Sequence, residues 1–210
     1  MLGAKLRSKF VKPLYKVGAV IGMTGINPNV FSIIALVFAG VAAYFLAVQD
    51  YLLGLIFVIL ASGWDCLDGS VARAQGKVSK FGNYLDALID KYVEIIIYFG
   101  FALGGFSVEA YLVITGSLVL SYAKPRAAIV VPIDNRDWPA IGERSDRLLL
   151  LILIVVFGIL LPEFTIDTYT FSTVSMMLYL LVAVVYGGSV QRILYAKRII
   201  KAGGTSGLKD

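Results

Sequence analysis

Four aspartates, Asp65, Asp68, Asp86 and Asp90, stand within a stretch of otherwise apolar segments. Asp65 and Asp68 are three residues apart and Asp86 and Asp90 are four apart, so on helices each pair projects from one face. The intervening Gly76-Lys77-Val78-Ser79-Lys80 turn is expected to fold the two segments into antiparallel neighbours and to bring the carboxylates to similar depth. Acids that close repel one another unless a cation lies between them. Arg73 alone does not neutralise four. The chain has no histidine and a single cysteine, Cys66, so the donors are hard oxygens suited to a divalent ion of the Mg, Mn or Ca type, and a cluster this size can hold two. Gly69, Ala72 and Gly82 are small enough to let helices approach and to leave room for a ligand. The bland alternative is that the acids only pair with Arg73, Lys77, Lys80 and Lys91. Four acids at helical spacing with small residues between them favour the ligand reading.

The elements that hold these groups are apolar. Of 210 residues 59% are hydrophobic and 16% charged, with a mean hydropathy of +0.83, far from the composition of an ordinary soluble domain. Six apolar blocks run about 29 to 48, 52 to 73, 82 to 104, 108 to 131, 147 to 162 and 170 to 195, each near the roughly 20 residues that cross a hydrocarbon core of about 30 Å. The expected fold is an all-α integral membrane protein. One domain of six transmembrane helices would occupy 29–195, preceded by an amphipathic juxtamembrane helix over 2–24 that keeps Lys5, Lys9, Lys12 and Lys16 in water, and followed by a flexible tail over 202–210. Asn27 and Pro28 form a helix-start signal for the first block. The N-terminal mixture of basic and apolar residues is not a secretory signal.

Numbering the faces of a six-span bundle puts all 19 Lys and Arg on the side of the N-terminus or near its helix ends, opposite Asp50, Glu109, Glu163 and Asp167. The positive-inside rule then makes both termini cytoplasmic, in a multi-pass protein of the cell membrane whose basic face meets anionic headgroups. Without histidine, and with one cysteine, intramolecular disulfides, Cys/His zinc sites and imidazole catalysis are excluded.

Written as Asp65-x2-Asp68-Gly69-x2-Ala72-Arg73-x8-Gly82-x3-Asp86-x3-Asp90, the stretch resembles the signature of the CDP-alcohol phosphotransferases at all eight fixed positions. That family has six spans, a juxtamembrane helix and cytoplasmic termini, and it transfers a phosphoalcohol from a CDP-linked donor to a hydroxyl, releasing CMP. The resemblance implies that Asp65, Asp68 and Asp86 bind metal, two Mg²⁺ or Mn²⁺ ions in all, and that Asp90 completes the second ion site and serves as the base. It assigns Gly69, Arg73 and Ser79, with the turn Asn29-Val30-Phe31-Ser32, to the CDP-lipid. It also implies a homodimer, a cytoplasmic active site and a groove that leaves the donor's tails in the bilayer.

The acceptor is addressed by a second set of charges. Lys124 and Arg126, Arg144 and Arg147, and Arg192 lie near the cytoplasmic ends of apolar blocks. A neutral acceptor such as glycerol or serine does not call for so many cations, whereas a phosphate does. The three stretches resemble those of the phosphatidylinositol-phosphate synthases and their archaeal archaetidyl counterparts, where they hold the phosphate of inositol phosphate. Ser145-Asp146 stands where bacterial members have Pro-Glu, which leaves diacyl and archaeal ether donors both open. Positive-inside topology alone is the competing account of these cations, and glycerol 3-phosphate is the rival acceptor. A transporter reading would require inverted repeats or broken helices, and the sequence has neither. A purely structural scaffold would need none of the acids. Nucleic acid is not an expected partner.

Overall fold

The computed structural model describes residues 20, 25–133, 138, 139, 141–166 and 168–204, with side chains for all of these except Pro28, Asn29, Asp65, Cys66 and Asp68. The expected juxtamembrane helix over 2–24 lies outside the described residues save for Val20, as does the tail from 205 onward. Six long helices follow one another: α1 Pro28–Ala47, α2 Tyr51–Ala74, α3 Lys80–Leu103, α4 Ser107–Val130, α5 Arg144–Leu160 and α6 Thr173–Lys201. The expectation of an all-α fold needs one correction. Between α5 and α6 the chain forms an antiparallel hairpin, β1 Glu163–Ile166 and β2 Tyr169–Ser172, with Phe164 opposite Phe171 and Thr165 opposite Thr170. The sixth apolar block was expected from 170, but Thr170 and Phe171 are β-formers that pair across the hairpin, and α6 starts only after Ser172 accepts from the Ser175 amide.

Large apolar side chains are exposed along all six helices, the pattern of a bundle whose surroundings are apolar, and α1 buries mainly small ones. On α1, Ala35, Ala39, Ala42, Ala43 and Leu46 face inward, while Ile33, Val37 and Tyr44 face out. Among the described residues three helical segments, Val30–Ala47, Tyr51–Ala74 and Thr173–Lys201, are long and apolar enough to cross a membrane. The membrane-spanning character rests on these; α3 is interrupted by Asp86, Asp90, Lys91 and Glu94, and α5 has only 17 residues.

Packing also departs from the sequence expectation in one respect. Joined by a short turn, α2 and α3 barely touch; both lie against α1 instead, and a cleft opens between them. In the other half α4 packs on α6, while α5 spans from α2 to α6. The α1–α3 contact is backbone on backbone: a Cβ on Gly100 would stand 2.5 Å from the Ala43 Cα, and one on Gly104 would stand 2.7 Å from the Leu46 carbonyl oxygen. Gln49, at φ 60°, donates from Nε2 to the Gly104 carbonyl at 2.8 Å and fastens the two adjoining turns together.

Gly100→Val should therefore destabilise the bundle by about 1–3 kcal/mol or more, as overpacking does. Gly40→Ala, with nothing near the added methyl, should be neutral or stabilising. Thermal unfolding of the purified protein in detergent, followed by tryptophan fluorescence, compares the two; equal melting temperatures would contradict the crossing described.

Candidate functional site

Because α2 and α3 diverge from their connecting turn, their facing sides enclose a cleft of about 330 Å³. Its walls are Asn27 and Ser32 from the start of α1, Gly69 and Ala72 from α2, Lys77, Val78 and Ser79 from the turn, and Gly82, Asn83 and Asp86 from α3. The turn is shaped locally. Ser79 caps α3 by accepting from the Gly82 amide at 2.9 Å, and Gly76 takes φ +64°, a left-handed conformation that suits glycine. At the rim, Gln75 donates from Nε2 to the Ile26 carbonyl at 2.9 Å and ties the end of α2 to the entry of α1. Arg73 donates from Nη2 to Ser70 Oγ at 3.3 Å, with its guanidinium lying along Gly69.

Positions 65, 68, 69 and 72 share one face of α2 by helical periodicity. Gly69 and Ala72 line the cleft, so the positions of Asp65 and Asp68 belong to the same face, although their side chains lie outside the described residues. Among the described residues no group of three metal-ligating side chains converges. Asp86 on one wall, two positions for aspartate on the other, and the oxygens of Asn27, Ser32 and Asn83 between them form a donor set of hard oxygens without nitrogen rings or thiols. That chemistry fits Mg²⁺ or Mn²⁺.

One turn further along α3, Asp90 faces a different pocket, a narrow space of about 40 Å³ lined by Ser62, Asp90, Glu94, Tyr98, Arg144, Arg147 and apolar neighbours from α3 and α5. Arg144 Nη1 lies 2.6 Å from Asp90 Oδ2. Arg147, buried, grips Glu94 with two prongs, Nε to Oε1 at 2.5 Å and Nη2 to Oε2 at 3.0 Å, and donates from Nη1 to the Gly142 carbonyl at 2.6 Å. Lys91 Nζ reaches the same carboxylate at 2.8 Å. Thus Asp86 and Asp90, neighbours on one helix, open into two adjoining cavities.

The remaining expected site residues are distributed unevenly. Ser32, Gly69 and Ser79 line the cleft, and Arg73 sits beside it. Phe31 packs instead with Leu67 and Val71 in the α1–α2 interior, and the Val30 side chain is exposed; neither lines the cleft. The side chain of Asn29 lies outside the described residues. Of the cations expected to meet an acceptor, Arg144 and Arg147 line the narrow pocket, but Lys124, Arg126 and Arg192 do not. Arg192 is buried against α4, donating from Nη1 to the Leu120 carbonyl at 2.7 Å. Lys77, Asn83 and Glu94 were missed in the sequence. Glu94 had a signal, since 86, 90 and 94 continue one four-residue acidic spacing.

Comparison with known proteins bears on the family and the fold. A family model described as CDP-alcohol phosphatidyltransferase matches residues 25–187. The archaetidylinositol phosphate synthase of Pyrococcus horikoshii is 31% identical over 204 residues, covering 95% of this chain and 99% of that protein. Two solved structures of the Mycobacterium tuberculosis phosphatidylinositol phosphate synthase share the fold. The one with CDP-DAG bound superposes at a TM-score of 0.71 and 20% identity over 87% of this chain and 92% of the other. The one in complex with manganese and citrate gives 0.72 and 21% over 87% and 88%.

Asp86→Asn should lower the affinity of the purified protein for Mn²⁺ by at least the roughly 10–100-fold that losing even an outer partner of a metal ligand costs, without changing its melting temperature in EDTA. Electron paramagnetic resonance of free Mn²⁺ measures this; an unchanged affinity would remove Asp86 from the ion site.

Proposed function

The chain belongs to the CDP-alcohol phosphatidyltransferase family, and on that premise we propose that it makes a lipid inositol phosphate, transferring the phosphatidyl or archaetidyl group of a CDP-linked lipid to a hydroxyl of inositol 1-phosphate with release of CMP. The observation that carries the reading is the pair of adjoining cavities sharing α3, one with Asp86 in its wall and the other with Asp90. The wider cleft suits a nucleotide diphosphate. The pocket edged by Arg144 suits a phosphorylated acceptor.

In the reaction the acceptor hydroxyl oxygen bonds to the lipid-bearing phosphorus, the bond from that phosphorus to the CMP oxygen breaks, and the hydroxyl proton passes to Asp90. Asp65, Asp68, Asp86 and Asp90 are the residues to hold two divalent ions. Bound Mg²⁺ or Mn²⁺ would neutralise the diphosphate and the charge growing on departing CMP. Gly69, whose missing side chain leaves the α2 wall open, together with Ser32, Ser79 and the Asn29 turn, receives the donor head group, and Arg73 supplies a charge-assisted phosphate contact. Arg144 meets the acceptor's phosphate at the pocket rim, whereas Lys124 and Arg126 lie outside the pocket's lining and Arg192 is engaged by the Leu120 carbonyl. Arg147 adds positive potential from one turn deeper.

The reading extends to six membrane crossings, with both termini and the site facing the cytoplasm and the donor's tails remaining in the bilayer, and to a homodimer. Support for the crossings comes from the six consecutive helices and the one-sided placement of Lys and Arg.

Purified protein supplied with CDP-archaeol or CDP-diacylglycerol and Mn²⁺ should release CMP with inositol 1-phosphate and not with free inositol, serine or glycerol 3-phosphate. Asp90→Asn should lower kcat about 10²–10⁴-fold while leaving CMP binding in place. Faster release with glycerol 3-phosphate, or full activity in EDTA, would overturn the assignment.

A further inference from the structure

Two ion pairs cross from α3 to α5 as successive rungs. Asp90 and Glu94 are four residues apart on α3, Arg144 and Arg147 three apart on α5, and the pairing is Asp90 with Arg144 and Glu94 with Arg147. The rungs differ in character. Arg144 is 46% exposed, so its contact with Asp90 at 2.6 Å is open to water and to competing anions. Arg147 is 4% exposed, and three of its five N–H donors are engaged by Glu94 and the Gly142 carbonyl.

We propose that Glu94 is a positioning residue of the transfer reaction: through its two-pronged hold on buried Arg147 it fixes the start of α5, and so sets Arg144 against Asp90 where the acceptor must bind. The inference rests on the function proposed above and deepens it. A planar guanidinium gripped along one edge has little rotational freedom. The segment being held is short and exacting. Gly142 at φ +71° turns the chain just before α5 begins, and a Cβ there would stand 3.0 Å from Leu120 Cδ2. Glu143, which follows, offers α5 no side-chain cap. The bond from Arg147 Nη1 to the Gly142 carbonyl instead ties the turn before α5 back to the helix, and Glu94 aims the guanidinium that makes it. Lys91 lies on the same carboxylate and balances part of its charge, but one ammonium cannot reproduce the planar two-point grip. On this account Arg147 acts on the acceptor through the placement of Arg144.

The test is steady-state kinetics on the full chain in nanodiscs, at saturating CDP-lipid and Mn²⁺ with inositol 1-phosphate varied, beside direct binding of CMP with Mn²⁺. Glu94→Gln should raise the KM for inositol 1-phosphate at least tenfold, with CMP affinity within twofold of the parent, and Glu94→Asp should recover part of the loss. Arg147→Lys keeps the charge and loses the fork; it should raise the same KM, and it decides the matter if Glu94→Gln does not fold. An unchanged acceptor KM overturns the proposal, and so does a parallel loss of CMP binding and thermal stability, which would make the pair merely structural. If the parent protein instead uses another phosphorylated acceptor, the functional reading fails, while the effect of Glu94→Gln on that acceptor's KM still decides the role of Glu94.

Discussion

Helix α3 carries Asp86, Asp90 and Glu94 through a bundle whose outer surface is apolar, and every ionised acid left uncompensated there would cost about 2.5–3.5 kcal/mol on insertion scales. That requirement shapes the site. Each acid lies where compensation is available: Asp86 in a polar cleft, Asp90 against Arg144, and Glu94 between Arg147 and Lys91. The partners come from a different helix or from the next turn, so satisfying the charges also decides which helices lie together. Helix α5 packs its buried Leu151, Ile154 and Val155 into the core between α2 and α6, and the cations of its first turn add ion pairs to α3.

The depth of the acids orders their chemistry as well. Along α3 the environment passes from an open polar cleft at Asp86, through a largely covered carboxylate facing Arg144 at Asp90, to an equally covered carboxylate clasped by two cations at Glu94. A metal ligand needs access from the cleft. A base needs one oxygen turned towards a hydroxyl, and Asp90 lines the narrower pocket one turn from Asp86. A carboxylate already held from two sides can do neither and serves best as an anchor.

Much of this was legible in the sequence wherever it depended on helical periodicity. The spacing of Asp65, Asp68, Asp86 and Asp90 predicts shared faces because three or four residues make one turn, and the Gly69 and Gly82 gaps mark where the walls must stay low. What required tertiary structure was less visible. Arg147 is 53 residues from Glu94 in sequence, and from sequence alone it is indistinguishable from a cation that snorkels or meets a phosphate. The splaying of α2 from α3 was hidden for a similar reason: a short turn suggests neighbours, but the small face of α1 attracts both helices more strongly. The Phe31 position matches a nucleotide-contacting segment, yet its ring is spent on Leu67 and Val71. The hairpin at 163–172 was masked because Tyr169, Thr170 and Phe171 read equally well as the start of an apolar helix.

The tightest packing of these helices lies away from the cleft. At one end of the α1–α2–α3 group, glycines bring backbones together: Gly100 against Ala43, Gly104 against the Leu46 carbonyl, and Gly54 against the Leu46 side chain. All three contacts lie near the C-terminus of α1, far along the helices from Asn27, Ala72 and Gly82 at the cleft. The tight glycine contacts and the cleft thus occupy opposite ends of the α1–α2–α3 group, so the small residues that set the packing are remote from the polar residues at the mouth. The α3–α5 ion pairs lie outside the lining of that cleft, which makes them the natural place for the bundle to adjust the fit of a small charged acceptor without disturbing the nucleotide cleft.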